Sequence, residues 1–149
     1  VTKQAYRFCC TRATMARYYR NMGFYYLSSY NTDMAKACYT YSNIYYHTDN
    51  ADSELNYIEN ALKEAKEKGT TRQDKEYDIR TMQAMFDKEN VEPGPDSKTI
   101  GIVYRVGELM LQDKEYALAK DCFSIVYDIT NEQQLEGVLA ELDRCLENA

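Results

Sequence analysis

The chain has 149 residues, 44% of them hydrophobic and 28% charged, with a formal net charge of −6, a balance that suits one soluble domain with its own core and excludes a low-complexity or fully disordered chain. No run of about 18 apolar residues occurs, which excludes a membrane-spanning helix of the usual length, and the first residues do not read as a signal peptide. Charge is uneven: Lys3, Arg7, Arg12, Arg17, Arg20 and Lys36 face only Asp33 and Asp49 in the first 50 residues, so that part is basic and the remainder strongly acidic.

Both prolines, Pro93 and Pro95, fall in one stretch, which leaves long uninterrupted segments on either side. Residues 2–29 carry Tyr6, Cys10, Ala13, Ala16, Tyr19, Met22, Phe24 and Tyr26 mostly at three- and four-residue steps, which predicts a helix. Thr32 as N-cap with Asp33 in the first turn opens a second over 34–47. Asp52 or Ser53 caps a third over 54–68, and Gly69 is its stop. A fourth is expected over 73–88, ended by the Pro-Gly-Pro stretch. Two more follow over 97–112 and 114–129, and a last from Asn131, where Thr130 and Gln133 are spaced for a capping box.

Seven helices with short turns imply antiparallel neighbours and invite a search for repeats. Around Gly23, Tyr19, Met22, Tyr26, Ala35, Tyr39 and Ser42 lie at −4, −1, +3, +12, +16 and +19. Around Gly107, the residues Val103, Val106, Met110, Ala119, Phe123 and Val126 occupy the same offsets. Small residues at the glycine and at +12 mark a close crossing of the two helices of a hairpin, and the large residues beside them fill the groove. A glycine inside a helix costs roughly 0.5–1 kcal/mol relative to alanine, and close packing is the natural compensation.

This pattern resembles the tetratricopeptide repeat. The resemblance covers residues 16–46 and 100–130; the proline that ends the family's repeat is absent from both copies. It implies an all-α fold, an antiparallel helical-hairpin repeat array of the TPR-like α-solenoid kind, in one domain over 1–149. Hairpins are expected at about 2–47, 52–89 and 97–129, with a capping helix over 131–148. The glycines are 84 residues apart, so the middle hairpin is about 16 residues longer than the family's 34-residue period gives. In that family the first helix of each hairpin lines a concave binding face, with exposed positions at −6, −3, +1, +4 and +5. Carried over, these nominate Arg17, Arg20, Phe24, Leu27 and Ser28 in the first copy, and Gly101, Tyr104, Glu108, Leu111 and Gln112 in the last. Members that grip a C-terminal carboxylate use basic and amide residues at −3 and +1. Of Arg20, Phe24, Tyr104 and Glu108 only the first fits.

The residues offer little for catalysis. His47 is the single histidine, and there is no metal-ligand spacing, nucleophile elbow or glycine-rich phosphate loop. No enzyme activity, metal or cofactor is expected. The five cysteines are odd in number and without a Cys-x-x-Cys pair, which reads as thiols packed in helices in a reducing, cytoplasmic setting. Of the fifteen tyrosines, Tyr19, Tyr26 and Tyr39 fall on core positions, whereas Tyr18, Tyr25, Tyr30, Tyr41 and Tyr104 can line a surface. The expected function is a non-catalytic scaffold that binds a peptide or helix of another protein in its concave groove, with no membrane partner. Two alternatives stand beside it: nucleic-acid association through the basic first helix, and a helical accessory region of a larger enzyme or regulator. The start at Val1 rather than Met points to a trimmed or excised chain.

Overall fold

In the computed structural model the described residues are 2–29, 31–69, 80, 84, 87, 94, 95 and 97–148, with residues 61, 62 and 65 described by backbone alone. All regular structure among them is α-helical: α1 (Lys3–Ser28), α2 (Thr32–Tyr45), α3 (Asp49–Lys68), α4 (Ser97–Gln112), α5 (Tyr116–Thr130) and α6 (Gln134–Glu147). The helix expected over 73–88 lies outside the described residues except for Arg80, Ala84 and Asp87, which are helical. The chain forms two compact units, Ala16–Gly94 and Val1–Met15 with Pro95–Ala149.

In the contiguous unit, the second part of α1 pairs with α2 at Gly23, where an added Cβ would lie 2.8 Å from a ring carbon of the buried Tyr39. The Ser42 hydroxyl donates to the Ala16 carbonyl at 2.7 Å and ties the other end of the hairpin. Ala51 and Ile58 of α3 complete a core with Phe24, Leu27, Ala35 and Tyr39.

In the other unit, α4 and α5 meet at Gly107, where a Cβ would lie 3.0 Å from the Cys122 Cβ and 3.3 Å from the Phe123 ring. Val103, Met110, Leu118, Ala119, Phe123, Ile125 and Val126 are buried, and α6 adds Leu135 and Leu142. The first part of α1 packs here too, with Met15 Sδ 3.6 Å from Cys122 Sγ.

Measured from its glycine, each hairpin follows one plan. The N–H at +8 donates to the carbonyl at +3 at 2.8 Å in both, Asn31 to Tyr26 and Glu115 to Met110. The N–H at +12 donates to the carbonyl at +8 at 3.0 Å in both, Ala35 to Asn31 and Ala119 to Glu115. The N-cap dihedrals agree: φ −90°, ψ 77° at Asn31 and φ −86°, ψ 71° at Glu115.

The correspondence continues into the following helix. Asn43 at +20 donates to Asp52 at +29 (2.8 Å), and Tyr127 at +20 donates to Glu136 at +29 (2.6 Å). Lys36 at +13 pairs with Glu59 at +36, and Lys120 at +13 with Asp143 at +36. Buried apolar residues recur at +28, Ala51 and Leu135, and at +35, Ile58 and Leu142. The matched contacts therefore extend over three helices in each unit, one more than the residue pattern around the glycines gives.

Three expected boundaries are corrected. Asn31 rather than Thr32 caps α2, its side chain accepting from the Met34 N–H. α3 starts at Asp49, five residues before the expected start, because the Thr48 hydroxyl accepts from the Ala51 N–H and the acidic residues fill the first turn. No capping box forms at Thr130, which ends α5 with its hydroxyl on the Val126 carbonyl. Asn131 follows in the left-handed conformation, so α6 begins only at Gln134.

Candidate functional site

Side chains at the nominated offsets meet different fates in the two hairpins. In α1, Arg17 and Ser28 are exposed. Phe24 and Leu27, expected on an open wall, are instead 2% and 7% exposed and belong to the core beneath Ala51 and Ile58. Two large apolar groups gain most from water exclusion where α3 covers them, and truncating either opens a cavity before it removes a surface contact. Arg20 is also occupied: its guanidinium grips the buried Glu54 carboxylate, with Nε 2.9 and 3.0 Å from the two oxygens. An ionised carboxylate at such depth needs a partner, and the two-pronged guanidinium supplies one. The Tyr39 hydroxyl, raised in pKa by burial and then by the Glu54 charge, stays neutral.

In α4 the equivalent positions Gly101, Tyr104, Glu108, Leu111 and Gln112 are all exposed. The first four recur at three- and four-residue steps and so form one stripe along the helix. Tyr104 is 40% and Leu111 39% exposed, large values for such side chains. The Tyr104 ring is held edge-on against Phe123, centroids 5.6 Å apart, which limits its rotamers. At the start of α4 the stripe runs into a groove of about 430 Å³ lined by Ile100, Gly101, Tyr104, Val126, Ile129 and Glu132. Glu108 and Glu132 give this surface acidic points on an apolar ground.

Basic residues of α1 are partly engaged. Arg7 makes two hydrogen bonds to Asp113, at 2.8 and 2.6 Å; these hold the Asp113 carboxyl below its ordinary pKa and raise that of Arg7. Arg7, bound to Asp113, and Arg20, bound to Glu54, are thus engaged within the protein. Arg12 lies 5.8 Å from the Phe8 ring centroid.

His47 Nε2 is 2.7 Å from Asp52, and among the described residues no three His, Cys, Asp or Glu side chains gather as a metal site. All five cysteines are free thiols. Burial raises Cys38 to about 11 and Cys122 to about 12, which keeps both protonated and unreactive. No described helix is long and apolar enough to cross a membrane. Comparison with protein-family models, with curated proteins and with solved structures returned no match.

The Arg20–Glu54 pair escaped sequence reasoning because its partners stand 34 residues apart on helices whose pairing only the fold sets. The available signal was an acidic residue on the apolar stripe of α3: Glu54 follows Ala51 by three residues and precedes Ile58 by four, which puts it on the buried face between them.

Proposed function

We propose that this chain is a non-catalytic protein-interaction module of the tetratricopeptide kind, which holds a peptide or helix of a partner against the exposed stripe of α4. The observation that supports this reading is the recurrence of one hairpin plan at matched offsets from Gly23 and Gly107, as in repeat proteins whose stacked helices serve as binding surfaces. Tyr104 and Leu111 act as apolar anchors, in keeping with the prominence of aromatic residues at binding hot spots. Glu108, between them, selects a basic side chain on the partner. The free thiols, two of them buried, support a reducing cytoplasmic setting.

A displayed peptide library panned against the immobilised protein tests this. Selected peptides should pair apolar residues with Lys or Arg, and should be lost on Tyr104→Ala/Leu111→Ala with the circular dichroism unchanged. Glu108→Lys should shift selection towards acidic peptides. Peptides that bind the double variant as well as the parent would refute the assignment of the site.

A further inference from the structure

Gly23 and Gly107 are explained by what lies against them, Tyr39 in one unit and Cys122 with Phe123 in the other. Gly101, the fifth residue of α4, has no such neighbour: no described atom lies within 4 Å of an added Cβ, although alanine would serve the helix better. Its setting distinguishes it. Gly101 lines the groove between the start of α4 and the end of α5, with Ile100, Tyr104, Val126 and Ile129, and Glu132 is the one charged side chain among the described lining residues. Gly137 has similar room but is not part of that groove.

Charge is ordered across the same surface. Successive helical residues turn by about 100°, so the stripe of Gly101, Tyr104, Glu108 and Leu111 is bordered on one edge by the buried Ile100 and Gly107 and on the other by the exposed Lys98 and Arg105. Carboxylates thus mark the middle and the groove, at Glu108 and Glu132, and cations mark the outer edge. Large apolar groups lie between them.

We propose that the partner element seated on α4 is an amphipathic helix. It comes closest at Gly101, carries Lys or Arg on the flank towards Glu108 and Glu132, and carries Asp or Glu on the flank towards Lys98 and Arg105. This rests on the reading of α4 as the binding face and narrows it from a peptide or helix to a helix of stated charge order. Two observations select a helix over an extended strand. Gly23 and Gly107, inside helices of this chain, sit where a second helix crosses closely, and Gly101 offers the same approach from outside. The 3-4-3 spacing of the stripe is also the seam of a helix pair. Lys98 and Arg105 stand seven residues apart, roughly 10 Å along the axis, which matches acidic residues one heptad apart on the opposing helix. A helix with its charged flanks exchanged would meet like charge on both edges and be rejected.

A displayed library of random peptides of about 18 residues, five helical turns, panned on the parent and on variants tests this, with isothermal titration of synthetic copies of the selected peptides. The parent should select sequences with apolar residues at three- and four-residue steps and with basic and acidic residues on opposite flanks, and these should gain helicity on binding. Gly101→Leu should weaken them by roughly tenfold, as overfilling a close crossing does, while melting no lower than the parent. Glu132→Gln should relax the demand for one basic residue, and Lys98→Glu/Arg105→Glu should select peptides basic on both flanks. Selected peptides that bind Gly101→Leu as tightly as the parent, that lack helical periodicity, or that keep the parental charge order on Lys98→Glu/Arg105→Glu overturn the inference. Loss of those same peptides on Tyr104→Ala/Leu111→Ala would still uphold α4 as the binding face, whereas a parent that enriches nothing overturns both.

Discussion

Replacing each helical glycine by alanine gives a pair of opposite signs. Alanine is favoured over glycine in a helix interior by about 1 kcal/mol, so a glycine with room beside it is a stability reserve. Gly101 and Gly137 have nothing within 4 Å of an added Cβ, and Gly101→Ala and Gly137→Ala should each stabilise by about 0.5–1 kcal/mol. At Gly23 the Cβ would stand 2.8, 2.9 and 3.1 Å from three ring carbons of Tyr39, which is fully buried and has no direction of easy retreat. Overpacking of this sort costs about 1–3 kcal/mol, so after the propensity gain Gly23→Ala should destabilise by about 1 kcal/mol. Gly107→Ala, with its nearest contact 3.0 Å from the Cys122 Cβ, should fall on the same side with a smaller loss. Urea denaturation followed by circular dichroism resolves the spread, and melting temperatures should differ by about 4–8 °C between Gly23→Ala and Gly101→Ala for a chain of this size. If Gly23→Ala proves as stable as Gly101→Ala, the close crossing at Tyr39 is not what retains the glycine, and the shared plan of the hairpins loses its physical basis.

Other consequences are equally direct. Arg20→Met strands the buried Glu54 carboxylate and should cost about 3–5 kcal/mol in urea melts, whereas Arg20→Met/Glu54→Leu should recover most of it; equal loss in both would mean that the pair is not buried as described. The Asp113 carboxyl is held below its ordinary value by Arg7, so their contribution is present above the unfolded carboxylate pKa and lost as pH falls through the depressed one. Arg7→Gln should accordingly be less stable than the parent at pH 7, with the gap closing in acid; a gap that widens on acidification would reverse the sign. In native protein at pH 8 the exposed Cys9 and Cys10 should react rapidly with a chromogenic disulfide, while Cys38 and Cys122 should react only on unfolding. Immediate reaction at all sites would contradict the burial of the last two.

The hairpins are legible in the residues because two helices can approach closely only where side chains are small, and that demand fixes glycine and alanine at set intervals. α4 spans the range its residues predict, Ser97 to Gln112. The third helix of the plan is not legible, since its contacts recur as chemistry and not as letters: an amide on a carboxylate in one unit, a phenol on a carboxylate in the other. Nor is the burial of Phe24 and Leu27, which depends on the cover that α3 provides rather than on α1 itself. Of the tyrosines free by their spacing to line a surface or to pack, Tyr18 is buried, whereas Tyr25, Tyr41 and Tyr104 are exposed; Tyr30 lies outside the described residues.

The way the chain is divided bears on how it acquires its structure. Residues 16–94 make one unit from consecutive chain, so its contacts can form while synthesis is still under way. The other unit draws on both ends: the Arg7–Asp113 bond closes a loop of 106 residues, and Met15 must wait for Cys122. Closing so long a loop is entropically slow, which sets an order of assembly in which the middle consolidates first and the opening turns of α1 find their place last.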